Sequence, residues 1–123
     1  MRLTRLHQVG ARAGDLESTR QFYENVLGAR FIASFDPPGL LFFDFCGTRV
    51  LFERNNAPAV LYFWVDDIEA AHAALTDRGV PFESPPHLVH TDEAGQFDNP
   101  GTQEWMAFFR DPGGNTVALA SRR

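Results

Sequence analysis

A chain of 123 residues can bury one core of its own and is too short for two domains. Hydrophobic residues make up 44% and charged residues 22%, which excludes a disordered chain. The formal charge of -5 excludes general binding to nucleic acid, which needs basic patches, and is compatible with a neutral or cationic ligand.

Taken in order, residues 3–13 carry mixed strand character around Val9. Gly14-Asp15-Leu16-Glu17 reads as a helix start, with acidic side chains in the first turn. Leu16, Thr19, Phe22 or Tyr23, and Val26 recur at helical spacing, and Leu27-Gly28 closes the helix. Phe31-Ile32-Ala33 begins a strand and Pro37-Pro38-Gly39 breaks the chain. Residues 41–53 then read as a hairpin turning at Cys46-Gly47. Cys46 is the single cysteine, so an internal disulfide and a cysteine-rich zinc site are excluded. In an apolar strand run beside a turn it reads as a packed or turn-flanking residue rather than a nucleophile.

Asn55-Asn56-Ala57-Pro58 is a polar connector at the midpoint, after which the order repeats. Residues 60–65 are a β-rich run. Asp66 is placed to cap a helix, with Glu69 three residues on. Ile68, Ala71, His72 and Leu75 mark its apolar face, and Arg78-Gly79 ends it. Val80-Pro81-Phe82 begins a strand. Residues 83–103 read as one long irregular segment rich in Pro, Asp, Gly and His, of the kind that forms lids and binding loops. Residues 104–120 form a second hairpin, with Asp111-Pro112-Gly113-Gly114-Asn115 supplying the turn. No apolar run approaches the ~20 residues that span a bilayer. The start of the chain lacks the apolar stretch of a signal peptide, so the expected location is cytoplasmic.

Each half therefore reads strand, helix, strand, strand, strand. The expected class is α+β: a single domain 1–123 of two βαβββ modules, about 3–54 and about 59–121. Their mixed sheets are expected to curl around a cleft, the natural place for a ligand.

The chain resembles the vicinal oxygen chelate superfamily, which groups glyoxalases, bleomycin resistance proteins and extradiol dioxygenases. The resemblance is carried by Leu6-His7-Gln8-Val9-Gly10, by Asp15-Leu16-Glu17-Ser18 with Phe22-Tyr23 and Val26-Leu27-Gly28, by Val65-Asp66-Asp67-Ile68 with Arg78-Gly79-Val80, and by Phe109-Arg110-Asp111-Pro112-Gly113-Gly114-Asn115. It covers nearly the whole chain. It implies paired βαβββ modules and, in many members, a metal held by the first and last strands of each module. Position by position, that set is Gln8, Leu51, Val60 and Ala118. Only Gln8 has a side-chain donor, so no metal site and no cofactor are expected.

Strand alternation from those positions brings Arg49 and Glu53 inward on one strand and Tyr62 and Trp64 on another. The resemblance adds Glu104, Met106 and Phe108. The expected ligand-binding set is Gln8, Arg49, Leu51, Glu53, Tyr62, Trp64, His87, Met106, Phe108 and Ala118: apolar walls with a few orienting polar groups. The aromatic members can stack on a planar ligand or hold a cation, or simply fill the core. Glu104 is expected to pair with Arg49, to be exposed, or to serve as a general base. His72 reads as structural, and His87 as a lid contact on the long segment beside His90.

Three readings follow. The first is a non-catalytic small-molecule binder, resembling the drug-sequestering members. The second is a lyase or isomerase with a Glu base and no metal. The third is a metal-dependent glyoxalase or dioxygenase. The resemblance also implies a homodimer, and neither a nucleic-acid partner nor a membrane is expected.

Overall fold

Both helices begin where an aspartate caps them. In this computed structural model, which describes residues 1–123, Asp15 accepts from Ser18 N at 2.9 Å and starts helix α1, Leu16–Gln21. A π-helical turn, Phe22–Val26, continues it to Gly28, whose φ of 73° is a left-handed conformation that glycine adopts without strain. Asp67, not Asp66, caps helix α2, Ile68–Asp77, by accepting from Ala70 N at 3.1 Å. Asp66 instead accepts from Trp64 Nε1 at 3.3 Å.

The strands are β1 (Gln8–Arg12), β2 (Arg30–Phe35), β3 (Leu40–Phe45), β4 (Thr48–Glu53), β5 (Val60–Trp64), β6 (His87–Asp92), β7 (Thr102–Arg110) and β8 (Thr116–Arg122). They form two four-stranded sheets of matching order, β1-β4-β3-β2 and β5-β8-β7-β6. In each, the first and last strands of the module pair parallel and the remaining pairs are antiparallel. This is the expected α+β architecture of two βαβββ modules.

Three local expectations are corrected. The first strand occupies only part of 3–13. Residues 80–82 form no strand: Val80 is buried and its N–H caps the end of α2 by donating to Leu75 O at 3.0 Å. The strand in that place is β6, inside the segment expected to be irregular, so His87 and His90 sit in a sheet and not on a lid. The two prolines before His87 favour extended backbone, and Leu-Val-His-Thr continues it.

The chain divides into two units. The first is Met1–Ala59 together with Asp111–Asn115. Its core lies on the helix side of the sheet, where Leu41, Phe43, Val50 and Phe52 are buried with Tyr23. The Tyr23 ring stands 4.6 Å from Phe52 and 5.9 Å from Phe43. Asp111 and Asn115 belong to this core. Tyr23 Oη donates to Asp111 Oδ2 at 2.5 Å, and Asn115 Nδ2 donates to the same oxygen at 2.8 Å. Asn115 Oδ1 accepts from Arg12 N and Ala59 N at 3.0 and 2.8 Å. A Cβ on Gly113 would lie 2.2 Å from Arg12 O, so this turn approaches β1 too closely for a side chain. The second unit is Val60–Arg110 with Thr116–Arg123. Leu61, Ile68, Leu75, Ala107, Phe109, Val117 and Leu119 form its core between sheet and α2. His72 packs on Phe82 at 4.4 Å, the structural role expected of it. No helix is long and apolar enough to cross a membrane.

Candidate functional site

Each sheet has one face under its helix and one without. Alternation along the strands puts the charged and exposed aromatic residues on the helix-free faces. Cross-strand partners share a face, so the register fixes which side chains stand together.

On the first sheet, Gln8 pairs with Arg49 and Arg49 with Asp44; next come Gly10, Leu51 and Phe42; then Arg12, Glu53 and Leu40. The four expected residues Gln8, Arg49, Leu51 and Glu53 therefore share one face. Gln8 and Arg49 are joined directly: Arg49 Nε donates to Gln8 Oε1 at 2.7 Å. Arg49 Nη2 lies 3.0 Å from His7 Nε2, so His7 joins this group.

On the second sheet three rows cross the helix-free face. Tyr62, Ala118 and Phe108 form one; Trp64, Ala120, Met106 and His87 form the next; Arg122, Glu104 and His90 form the third. Tyr62 and Trp64 are 60% and 58% exposed, unusually open for such large apolar rings, whereas Ala118 is fully buried. The ring of His87 stands 6.1 Å from that of Phe108. Tyr62, Trp64, His87, Glu104, Met106, Phe108 and Ala118 are thus neighbours on one surface.

Glu104 does not pair with Arg49. Its Oε1 accepts from Arg122 Nε at 3.0 Å, and Arg122 Nη1 approaches Asp98 at 3.8 Å. Glu104, Arg122, His90 and Phe97 line an open hollow of about 290 Å³. The Arg122 guanidinium lies 5.8 Å from the Trp64 ring and 6.0 Å from the Phe97 ring. His90, Phe97 and Arg122 were not in the expected set. Arg122 was within reach of the alternation argument, because it follows Ala118 and Ala120 at the same parity. Phe97 was not. It is placed by Asp92, whose carboxylate accepts from Gln96, Phe97 and Asp98 N–H groups at 2.8 to 2.9 Å.

A sequence model of the Glyoxalase/Bleomycin resistance protein/Dioxygenase superfamily matches residues 5–119. The chain belongs to that superfamily. Among solved structures, lactoylglutathione lyase from Agrobacterium tumefaciens superposes with a TM-score of 0.72 at 20% identity, covering 96% of this chain and 93% of that one. A superfamily member from Sphaerobacter thermophilus gives 0.73 at 23% identity, covering 96% and 97%. A virulence protein from Salmonella typhimurium gives 0.74 at 20%, covering 98% of each chain. At such identities the likeness is one of fold. No curated protein matches the chain by sequence.

The superfamily's glyoxalase and dioxygenase branches imply a divalent metal, and the donors here do not fit one. Of Gln8, Leu51, Val60 and Ala118, only Gln8 carries a donor oxygen, and that oxygen is engaged by the Arg49 guanidinium. Nowhere do three His, Cys, Asp or Glu side chains converge as a metal site.

Proposed function

We propose that this superfamily member binds a small, planar, partly apolar molecule on the helix-free faces of its sheets, and that it does so without the superfamily's divalent metal. The observation that carries the reading is the display of Tyr62 and Trp64, more than half exposed, in rows with Phe108 and Met106. Large rings left open to water in ordered rows are costly for a monomeric surface and useful for stacking. On the same face of that sheet Glu104 is held by Arg122, and on the first sheet Gln8 is held by Arg49, the few oriented polar groups that small-molecule sites generally carry.

The test is a thermal-shift screen of planar aromatic compounds of different charge, aromatic antibiotics among them, at millimolar concentration. At least one class is expected to raise the melting temperature by several degrees, by linkage of binding to folding. Trp64→Ala is expected to remove most of that rise. Absence of any shift across the panel would sink the proposal.

A second reading, Glu104 as a general base, draws on its place in the hollow beside His90. Its bond to Arg122 argues for a fixed carboxylate that orients a ligand. On this account Glu104→Gln weakens binding and leaves any turnover of a bound compound unchanged; loss of turnover at unchanged binding would favour the base.

A further inference from the structure

Arg49 is a cation held in place by neutral atoms. Gln8 Oε1 takes its Nε–H at 2.7 Å, His7 Nε2 lies 3.0 Å from Nη2, and the guanidinium carbon stands 5.5 Å from the centre of the Phe42 ring. A guanidinium has only donors, so His7 accepts here through Nε2. Six other arginines each reach a carboxylate at 3.5 Å or less, whereas Arg49 reaches none. The natural partner would be Asp44, directly opposite in the ladder. Asp44 is turned elsewhere: Oδ2 takes Arg30 Nη1 at 3.1 Å and Oδ1 takes Gly47 N at 2.9 Å. Glu53 lies four residues along the same strand, about 13 Å away.

Two of the five guanidinium N–H groups are engaged, which leaves donors on Nη1 and Nη2 in the fork geometry that fits a planar oxyanion. Beside it on the same face lie Leu51 and Phe42, a cross-strand pair that offers apolar surface. The oxygen of Gln8, which the superfamily resemblance would assign to a metal, here orients a side-chain cation instead. We propose that His7, Gln8 and Arg49 form a binding site for the carboxylate of an aromatic or otherwise apolar acid, whose body rests on Leu51 and Phe42. The inference rests on the small-molecule reading above and adds the charge of the ligand. The overall charge of -5 points the other way, but a site responds to the field of its neighbours, and here the nearest uncompensated charge is positive.

The experiment is NMR titration of the full chain with naphthoate, naphthamide and naphthylmethylammonium, three probes of one shape and different charge. Naphthoate is expected to bind roughly ten to a hundred times more tightly than naphthamide, and to move the Arg49 Nε–H signal. Arg49→Gln is expected to bring the two dissociation constants together while naphthamide binding persists. Should that variant fail to fold, Arg49→Lys and Gln8→Ala serve, since each keeps the charge but loses the oriented fork; both are expected to cut the preference several-fold. A preference that survives these changes overturns the proposal. So does naphthoate binding no more tightly than the other two, in which case the small-molecule reading stands. If none of the three binds the wild-type protein, that broader reading falls and the acid site falls with it.

Discussion

Tyr23 is fully buried, and its hydroxyl reaches Asp111, 88 residues further along the chain. Burial, and then the neighbouring carboxylate, push the phenol far above its ordinary value. The raised value means that the contribution of this proton to stability is complete below about pH 10 and is lost as the pH rises further. Tyr23→Phe is therefore expected to cost about 2 kcal/mol at neutral pH. It should also flatten the fall in stability that the wild type shows above about pH 10. Urea unfolding at pH 7 and again in strongly alkaline buffer checks both. The helical spacing of Leu16, Thr19 and either Phe22 or Tyr23 was legible in the sequence, because a period of 3.6 is a local property. The partner of the hydroxyl was not, because nothing local to Tyr23 points to a turn in the other half of the chain. The same holds for Glu104, whose partner Arg122 is set by the β7–β8 register.

Strand β6 and the turn that follows show what a single carboxylate can organise. Asp92 is buried, and three successive N–H groups converge on it. Burial pushes its carboxyl up, but the bonds from Phe97, Asp98 and Gln96, with the charge of His90, more than offset this and hold it below the usual range. A depressed value gives stability that is present above the ordinary carboxylate range and is lost as the pH falls through the folded value. The backbone amide signals of Gln96, Phe97 and Asp98 are expected to titrate together, with a midpoint below the ordinary carboxylate range. Asp92→Asn is expected to abolish that shared step and to loosen Phe97 from its place near Arg122; independent titration of the three amides would contradict it. The element was hidden in the sequence because proline, glycine and acidic residues surround it. Those residues do mark a turn at 93–101, but the six residues before it are a strand.

At the scale of the whole chain, the repeat was readable because both halves carry the same succession of caps, glycine stops and hairpins. What the repeat conceals is an asymmetry. The turn Asp111–Asn115 lies between strands of the second sheet, yet belongs to the first unit. Without it, Tyr23 Oη, Arg12 N and Ala59 N lose their acceptors. Three polar groups stripped in this way cost several kcal/mol, comparable to the stability of a small domain. A fragment of residues 1–59 is accordingly expected to remain unfolded, as read by circular dichroism and by uniform amide exchange, although it contains a complete strand-helix-strand-strand-strand order. A cooperative unfolding transition in that fragment would refute this.

The corresponding turn of the first half, at Cys46 and Gly47, takes no such part. Cys46 is exposed there with φ of 52°, a left-handed backbone that a residue with a Cβ rarely adopts, and it is the chain's single thiol. A reporter group attached to it would sit at one known address, three residues from Arg49 along the strand that the turn begins. The molecule thus offers its own attachment point for watching the first sheet by fluorescence or spin resonance, with no residue to be removed beforehand.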